Sequence, residues 1–158
     1  MSHSRSVPIT FPDWWSFGLG TGFIWPSGTI GSILGVALVT MVSAGGSNLV
    51  IATTAFVTVV SWLACMTTYQ KLGDEDHPCI VSDEVVGMML TMIGLPITPF
   101  SMTAGFVLFR FFDILKPGPI AYIDNADYLG AHGVMLDDVL AAFAANIILQ
   151  VFYGWPIW

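Results

Sequence analysis

Charge is what this chain has least of. Of its 158 residues, 9% are Asp, Glu, Lys or Arg and 55% are hydrophobic, with a mean hydropathy of +0.78. A soluble globular domain carries about 25% charged residues. The shortfall, spread over several long apolar runs, argues against a soluble domain and for an integral membrane protein. Cations are scarcer still: four Lys and Arg face eleven Asp and Glu, for a net charge of −7. That balance leaves no basic patch for nucleic acid, whose backbone must be neutralised by clustered Lys and Arg. Two cysteines, Cys65 in an apolar run and Cys79 in a polar loop, make neither a disulfide framework nor a zinc-ligand spacing. The opening residues MSHSRSVPITFPDWW lack an apolar run ahead of a small-residue cleavage site, so no secretory signal is expected. Without an internal repeat or low-complexity linker, the length predicts one membrane-embedded domain over 1–158, with 1–27 as an N-terminal interfacial segment.

What the chain does have is apolar runs. Five are read: Thr29–Ala44, Leu49–Met66, Val85–Leu95, Phe100–Phe112 and Val139–Tyr153. They predict an all-α integral membrane protein, a compact bundle of about five helical segments. A helix needs about 20 apolar residues to cross a hydrocarbon core. The third and fourth runs fall short, and predict either two thin spans or a shallow hairpin around the PITP stretch. All charged residues fall in three windows, 1–13, 71–84 and 110–138. If each run reverses the chain, these windows share one side, and the turns at 45–48 and 96–99 share the other. By the positive-inside rule the charged side faces the cytoplasm. Trp14, Trp15 and Trp25 near that face, and Trp155 and Trp158 near the other, read as interfacial anchors. Gly31 and Gly35 in GSILG, and Ala141, Ala142, Ala144 and Ala145, read as close-packing surfaces between helices, and self-association into a homo-oligomer is compatible with them.

Three polar clusters stand on the charged side: DEDHPCIVSDEVVG, FRFFDILKPGPI and GAHGVMLDDV. Asp83 and Glu84 open the third run, and Asp137 and Asp138 open the fifth. One acid at a helix N-terminus is explained by capping and the macrodipole, worth about 0.3–1 kcal/mol. Doubled acids at two helix mouths repel each other unless a cation lies between them. All-oxygen ligands without a Cys/His pattern favour magnesium over zinc. Asp74 and Glu75 read instead as a solvated acidic run. Arg110, Asp113 and Lys116 recur every third residue, close to one helical face, and Pro117 biases Lys116 out of the helix. They read either as an intrahelical pair with a snorkelling lysine or as a metal ligand flanked by two phosphate-binding cations. In PSGTIGS, Ser27 is positioned to cap the first run, with the N–H groups near Gly28 and Thr29 open to an anion.

A carboxylate set bridged by a cation, with Arg and Lys beside it at a membrane face, suggests phosphoester chemistry on a lipid headgroup. A cysteine phosphatase needs Cys-x5-Arg, and the sixth residue after Cys79 is Val85. Lipid phosphatases built on several Arg and His need more arginines than Arg5 and Arg110. An aspartyl-nucleophile loop at DEDH lacks a preceding apolar strand. Metal-dependent hydrolysis survives. The rival class is a divalent-cation transporter or channel with an acidic cytoplasmic mouth. It would want ionisable groups continuing toward the bilayer midplane, and none continues here.

Together these clusters resemble the phosphatidylglycerophosphatase A family. Its DHxxIVxDExxG element is matched by Asp76, His77, Ile80, Val81, Asp83, Glu84 and Gly87. Its FRxxDxxKPxPI element is matched by Phe109, Arg110, Asp113, Lys116, Pro117, Pro119 and Ile120. Its GxGxMxDD element is matched by Gly133, Met135, Asp137 and Asp138. The likeness runs over roughly residues 18–150. It implies a helical enzyme of the bacterial cytoplasmic (inner) membrane that uses Mg2+ to convert phosphatidylglycerophosphate to phosphatidylglycerol, with its active site in the cytoplasmic-side loops. On that resemblance Asp83, Glu84, Asp113, Asp137 and Asp138 share the metal site. Arg110, Lys116 and the backbone at Gly28 and Thr29 hold the phosphate. His77, a side chain type that exchanges protons near neutral pH, would protonate the leaving glycerol oxygen. A water nucleophile and an aspartyl-phosphate route are both compatible with this set.

Overall fold

Short N-terminal elements lead into the apolar runs, and each begins where local chemistry dictates. The computed structural model describes residues 9–73 and 77–154. Arg5, the acidic run 74–76 and the anchors Trp155 and Trp158 lie outside them. Helix α1 (Phe11–Ser16) starts at a capping box, in which Asp13 accepts from the Thr10 backbone N–H and Pro12 occupies the first turn. A 3-10 stretch (Gly18–Phe23) follows, turned by positive φ at Gly18, Leu19 and Gly20. Then come α2 (Ser27–Ser43) and α3 (Ser47–Leu72), α4 (Ser82–Thr91) and α5 (Pro99–Leu115), and α6 (Pro119–Asp124) and α7 (Ala131–Tyr153). Every α-helical and 3-10 element among the described residues is helical in type, with no strand.

The five apolar runs correspond to α2, α3, α4, α5 and α7, with revised limits. The largest revision is at α7. A helix expected to begin at Val139 begins at Ala131, so Asp137 and Asp138 lie nearly two turns inside it rather than at its mouth. The expected cap of α2 is also displaced. Pro26 is the N-cap, Ser27 is the first helical residue, and no side chain caps the helix. At ten residues α4 is about 15 Å long, while α5 with its seventeen is about 25 Å. The pair around PITP is therefore a hairpin with one short arm. Thr98 and Ser101 close a capping box at the start of the long arm.

The short arm is the centre of the molecule. Of its ten residues eight are buried, including Val85, Val86, Met88 and Met89, and it packs against α2, α7, α3 and α5. Glycines let the backbones come close. A methyl on Gly35 would lie 2.8 Å from both Met88 Cβ and the Val85 carbonyl, and one on Gly31 would lie 3.0 Å from Val81 Cβ and its carbonyl. The GxxxG pair thus seats α2 on α4. On the other side Ala141, Ala142 and Ala145 are fully buried, and the Phe109 ring fills the space above Gly87.

A helix ending inside a protein leaves carbonyls that must find donors. Asn146 Nδ2 donates to the carbonyls of Thr91 (2.8 Å) and Ile93 (2.9 Å), and Gln150 Nε2 donates to Ile93 (3.0 Å). These two α7 amides were not singled out from the sequence. Two helices, Ser47–Leu72 and Ala131–Tyr153, are long and apolar enough to cross a membrane, and the most hydropathic window of the first is only 33% buried. Large apolar side chains face outward along α3 (Phe56, Val59, Leu63), α5 (Val107, Phe111) and α7 (Phe143, Ile147, Val151).

At the charged end, α1 is tied to α3. Lys71 Nζ pairs with Asp13 at 2.8 Å and Thr68 Oγ1 donates to it at 3.0 Å. Burial pushes the Asp13 carboxyl up, but Lys71 and the donors Thr10 and Thr68 outweigh it and hold it down at about 2.

Candidate active site

Three helices bring acids to one place. Asp83 and Glu84 occupy the first turn of α4, where the unpaired N–H groups and the helix dipole favour negative charge. Asp83 itself accepts the Glu84 backbone N–H at 3.1 Å. The last two turns of α5 contribute Arg110 and Asp113, which form an i,i+3 ion pair. Helix α7 contributes Asp137 and Asp138 from its second turn, 5% and 3% exposed. Because that turn is helical interior, capping does not account for the pair.

The acids line a cavity of about 150 Å3, which also touches His77, Lys116 and Ser27. Oxygens of Asp83, Glu84 and Asp138 all come within 4.8 Å of one another. Asp138 is surrounded by the charges of Asp113, Asp83 and Asp137. Of the five acids expected to share a metal, the other two are engaged by cations: Asp113 by Arg110, and Asp137 by Lys116.

Two buried atoms test what would fit here. Glu84 Oε2 and Arg110 Nε have no hydrogen-bond partner, and an orphaned buried polar atom costs about 1–3 kcal/mol. The carboxylate oxygen lacks a donor, and the guanidinium N–H lacks an acceptor. An all-oxygen donor set suits a hard divalent cation, and the free Arg110 donor suits an anion. The carboxylates lining the cavity therefore fit magnesium, and Lys116, which also lines it, fits a phosphate, while Arg110 stands behind the lining on Asp113.

Lys116 ends α5 in the left-handed region at φ 43. Pro117 was expected to take it out of the helix, and the αL turn is how it leaves. That turn carries its ammonium to both Asp137 and Asp124. Burial alone would lower its pKa, and the two carboxylates more than reverse this, holding the ammonium above its usual value. Asp124 was not singled out from the sequence. The signal was there: an acid in the same charged window as the Arg110–Lys116 pair, just past the Pro-Gly-Pro turn. His77 lies exposed at the rim, with Nδ1 accepting the Cys79 N–H at 3.3 Å.

At α2 the cavity is lined by Ser27, while Thr29 is not among its lining residues. Gly28 takes part by having no side chain. A methyl there would lie 2.9 Å from Arg110 Nη1 and closer still to Glu84 Oε1. The bare backbone lets the start of α2 sit against both groups.

Known proteins resemble this chain over most of its length. The family model described as Phosphatidylglycerophosphatase A matches residues 14–153. A Haemophilus influenzae protein named Phosphatidylglycerophosphatase A is 40% identical, over 89% of this chain and 87% of its own. An Escherichia coli protein of the same name is 38% identical, over 59% and 55%. A Bacteroides thetaiotaomicron protein, 33% identical over 85% and 88%, carries a provisional name as a phosphatidylinositol-3-phosphatase. No solved structure matches the chain. With nearly the whole chain inside the match, it belongs to the phosphatidylglycerophosphatase A family.

Proposed function

We propose that this chain is a magnesium-dependent phosphatase that hydrolyses the terminal phosphomonoester of phosphatidylglycerophosphate, yielding phosphatidylglycerol and phosphate. The observation that carries the reading is the convergence of Asp83, Glu84 and Asp138, with Arg110 and Lys116 beside them, in a chain of this family. Asp83, Glu84 and Asp138 would hold the ion directly, and Asp113 and Asp137 would complete the set around them. When bound, magnesium polarises phosphoryl oxygens and makes a coordinated water easier to deprotonate.

The protein's own groups do the rest. Arg110, whose Nε lacks an acceptor, binds a phosphoryl oxygen and offsets charge developing on it. Lys116 shares its charge between Asp137, Asp124 and the phosphate. His77 Nδ1 already accepts a hydrogen bond, so the neutral ring carries its proton on Nε2. A second proton, taken up at Nδ1 as that hydrogen bond opens, makes the ring an imidazolium. The imidazolium gives one proton to the leaving glycerol oxygen as the P–O bond breaks, while water forms the new P–O bond and returns a proton to the ring.

The same proposal makes the chain a single multi-pass domain of the bacterial cytoplasmic membrane, with its site facing the cytoplasm. The outward apolar side chains of α3, α5 and α7 are what a lipid surround requires, since monomeric soluble proteins rarely expose such extended apolar surface. Every described Lys and Arg lies toward the same end as the site, as the positive-inside rule asks of a cytoplasmic face. A transport path is disfavoured because the amides deeper in α7, Asn146 and Gln150, are held by the carbonyls of Thr91, at the end of α4, and Ile93, just past it.

The test is phosphate release by the detergent-purified protein, with magnesium and then with excess EDTA, from phosphatidylglycerophosphate and from phosphatidylinositol 3-phosphate. Magnesium-dependent release, faster from the first substrate, is expected. Release unaffected by EDTA would sink the metal reading, and preference for the inositol lipid would reassign the substrate.

A further inference from the structure

A second cavity, of about 230 Å3, is walled by Trp15, Leu34, Leu38, Val57, Val85 and Ser82. It arises because α2 and α3 each pack on α4 more closely than on one another, leaving a seam floored by the first turn of α4. Its wall is apolar apart from two serines. Ser61 is already used, accepting the Trp15 indole N–H at 2.9 Å. Ser82 is not: it is 2% exposed and its Oγ has no hydrogen-bond partner. An empty apolar cavity destabilises a protein in proportion to its volume, and a dry wall of this kind holds water poorly. A buried hydroxyl without a partner adds to that cost. Both costs vanish if the occupant is a hydrocarbon chain carrying one hydrogen-bond acceptor.

Position relative to the acidic cavity points to the same occupant. Ser82 and Asp83 are consecutive, yet one lines the apolar cavity and the other lines the acidic one. Along α2, Ser27 borders the acidic cavity and Leu34 the apolar one, about 10 Å apart along the axis. A lipid phosphomonoester has this layout, with a phosphate separated by a short polar link from ester-bound acyl chains. Resting on the function proposed above, we infer that this cavity takes an acyl chain of the lipid substrate, with Ser82 Oγ–H donating to its ester carbonyl. The cavity thereby sets the preference for a diacyl lipid over a water-soluble monoester.

The experiment compares the full-length protein with Leu38→Trp, which fills the cavity, and Ser82→Ala, which removes the donor without adding bulk. Two substrates are used: diacyl phosphatidylglycerophosphate and its deacylated counterpart, glycerophosphoglycerophosphate. For Leu38→Trp, KM for the diacyl substrate should rise about tenfold, the loss of a few methylene contacts, with kcat and the deacylated substrate unaffected. Ser82→Ala should raise the same KM about threefold. Equal losses on both substrates, or no change on either, overturn the inference. Binding is read separately by native mass spectrometry with dioleoyl phosphatidylglycerol as the probe. Wild type should retain one lipid through detergent exchange that Leu38→Trp does not. If wild type hydrolyses neither substrate, the proposed reaction is wrong but lipid retention still decides the cavity. Equal retention by wild type and variant counts against it.

Discussion

The two ends of α4 solve one problem in opposite ways. At its N-terminus the helix presents Asp83 and Glu84 to three more acids, from α5 and α7, and to two cations from the end of α5. At its C-terminus it presents bare carbonyls to the neutral amides of Asn146 and Gln150. Both ends are buried, so in both every polar group needs a partner. The deep end meets that need within the chain and carries no charge. The shallow end does not: Glu84 Oε2 and Arg110 Nε remain without partners. A closed hydrogen-bond account marks structure, and an account left open at charged atoms marks a place for a ligand.

Substitutions at each end sharpen this contrast. Asp138→Asn keeps the shape and removes the charge, and should lower phosphate release on the order of a thousandfold with helicity by circular dichroism unchanged. Substantial retained activity would take Asp138 out of the site. Gly28→Ala should cost less, about ten- to a hundredfold in kcat/KM, because its methyl displaces Arg110 and Glu84 by a fraction of an ångström while thermal stability holds. A variant that loses Tm and activity together would mean Gly28 serves packing instead. At the other end the pattern should invert. Asn146→Leu orphans the Thr91 carbonyl and should cost about 1–3 kcal/mol, read as a lower Tm in detergent with kcat nearly intact. An unchanged Tm would show that the amide is dispensable to α4.

The smallest effect is expected at the tie between α1 and α3, away from both ends. Asp13 is held at about 2, below its ordinary 3.8. A depressed acid stabilises the fold above its unfolded value, and that contribution is lost as pH falls through the folded one. Trp15 fluorescence should therefore report loosening of α1 between about pH 4 and pH 2. Asp13→Asn should loosen α1 at neutral pH and flatten that profile. The same titration in both proteins would show that Asp13 is not the group responsible.

Much of the site was legible because its residues fall in dense, oddly spaced clusters on an otherwise uncharged chain. What hydropathy misjudged was extent. The stretch AHGVMLDD looks like a polar loop, with glycine and paired acids, yet it is the first two turns of α7. Gly130 at φ 51 turns the chain, and burial of Met135 against α4 and its neighbours repays the poor local propensity. Tertiary packing outweighs propensity in such cases. Asp124 was missed for a related reason. It has no local chemistry that sets it apart, and it acquires a role from the lysine it meets in the fold.

By itself the sequence determined that the chain is helical, where its apolar runs lie, and which side chains carry charge. Those follow from local composition and periodicity. The tertiary structure alone decided which acids meet. Asp83 and Glu84 stand more than fifty residues before Asp138, and close approaches at Gly31 and Gly35, against the backbone of Val81 and Val85, and at Gly87, under the Phe109 ring, set the distances at which α2, α5 and α7 close on α4. It also decided that α4 could be short, since a truncated helix survives in the interior only when another helix supplies donors to its last carbonyls.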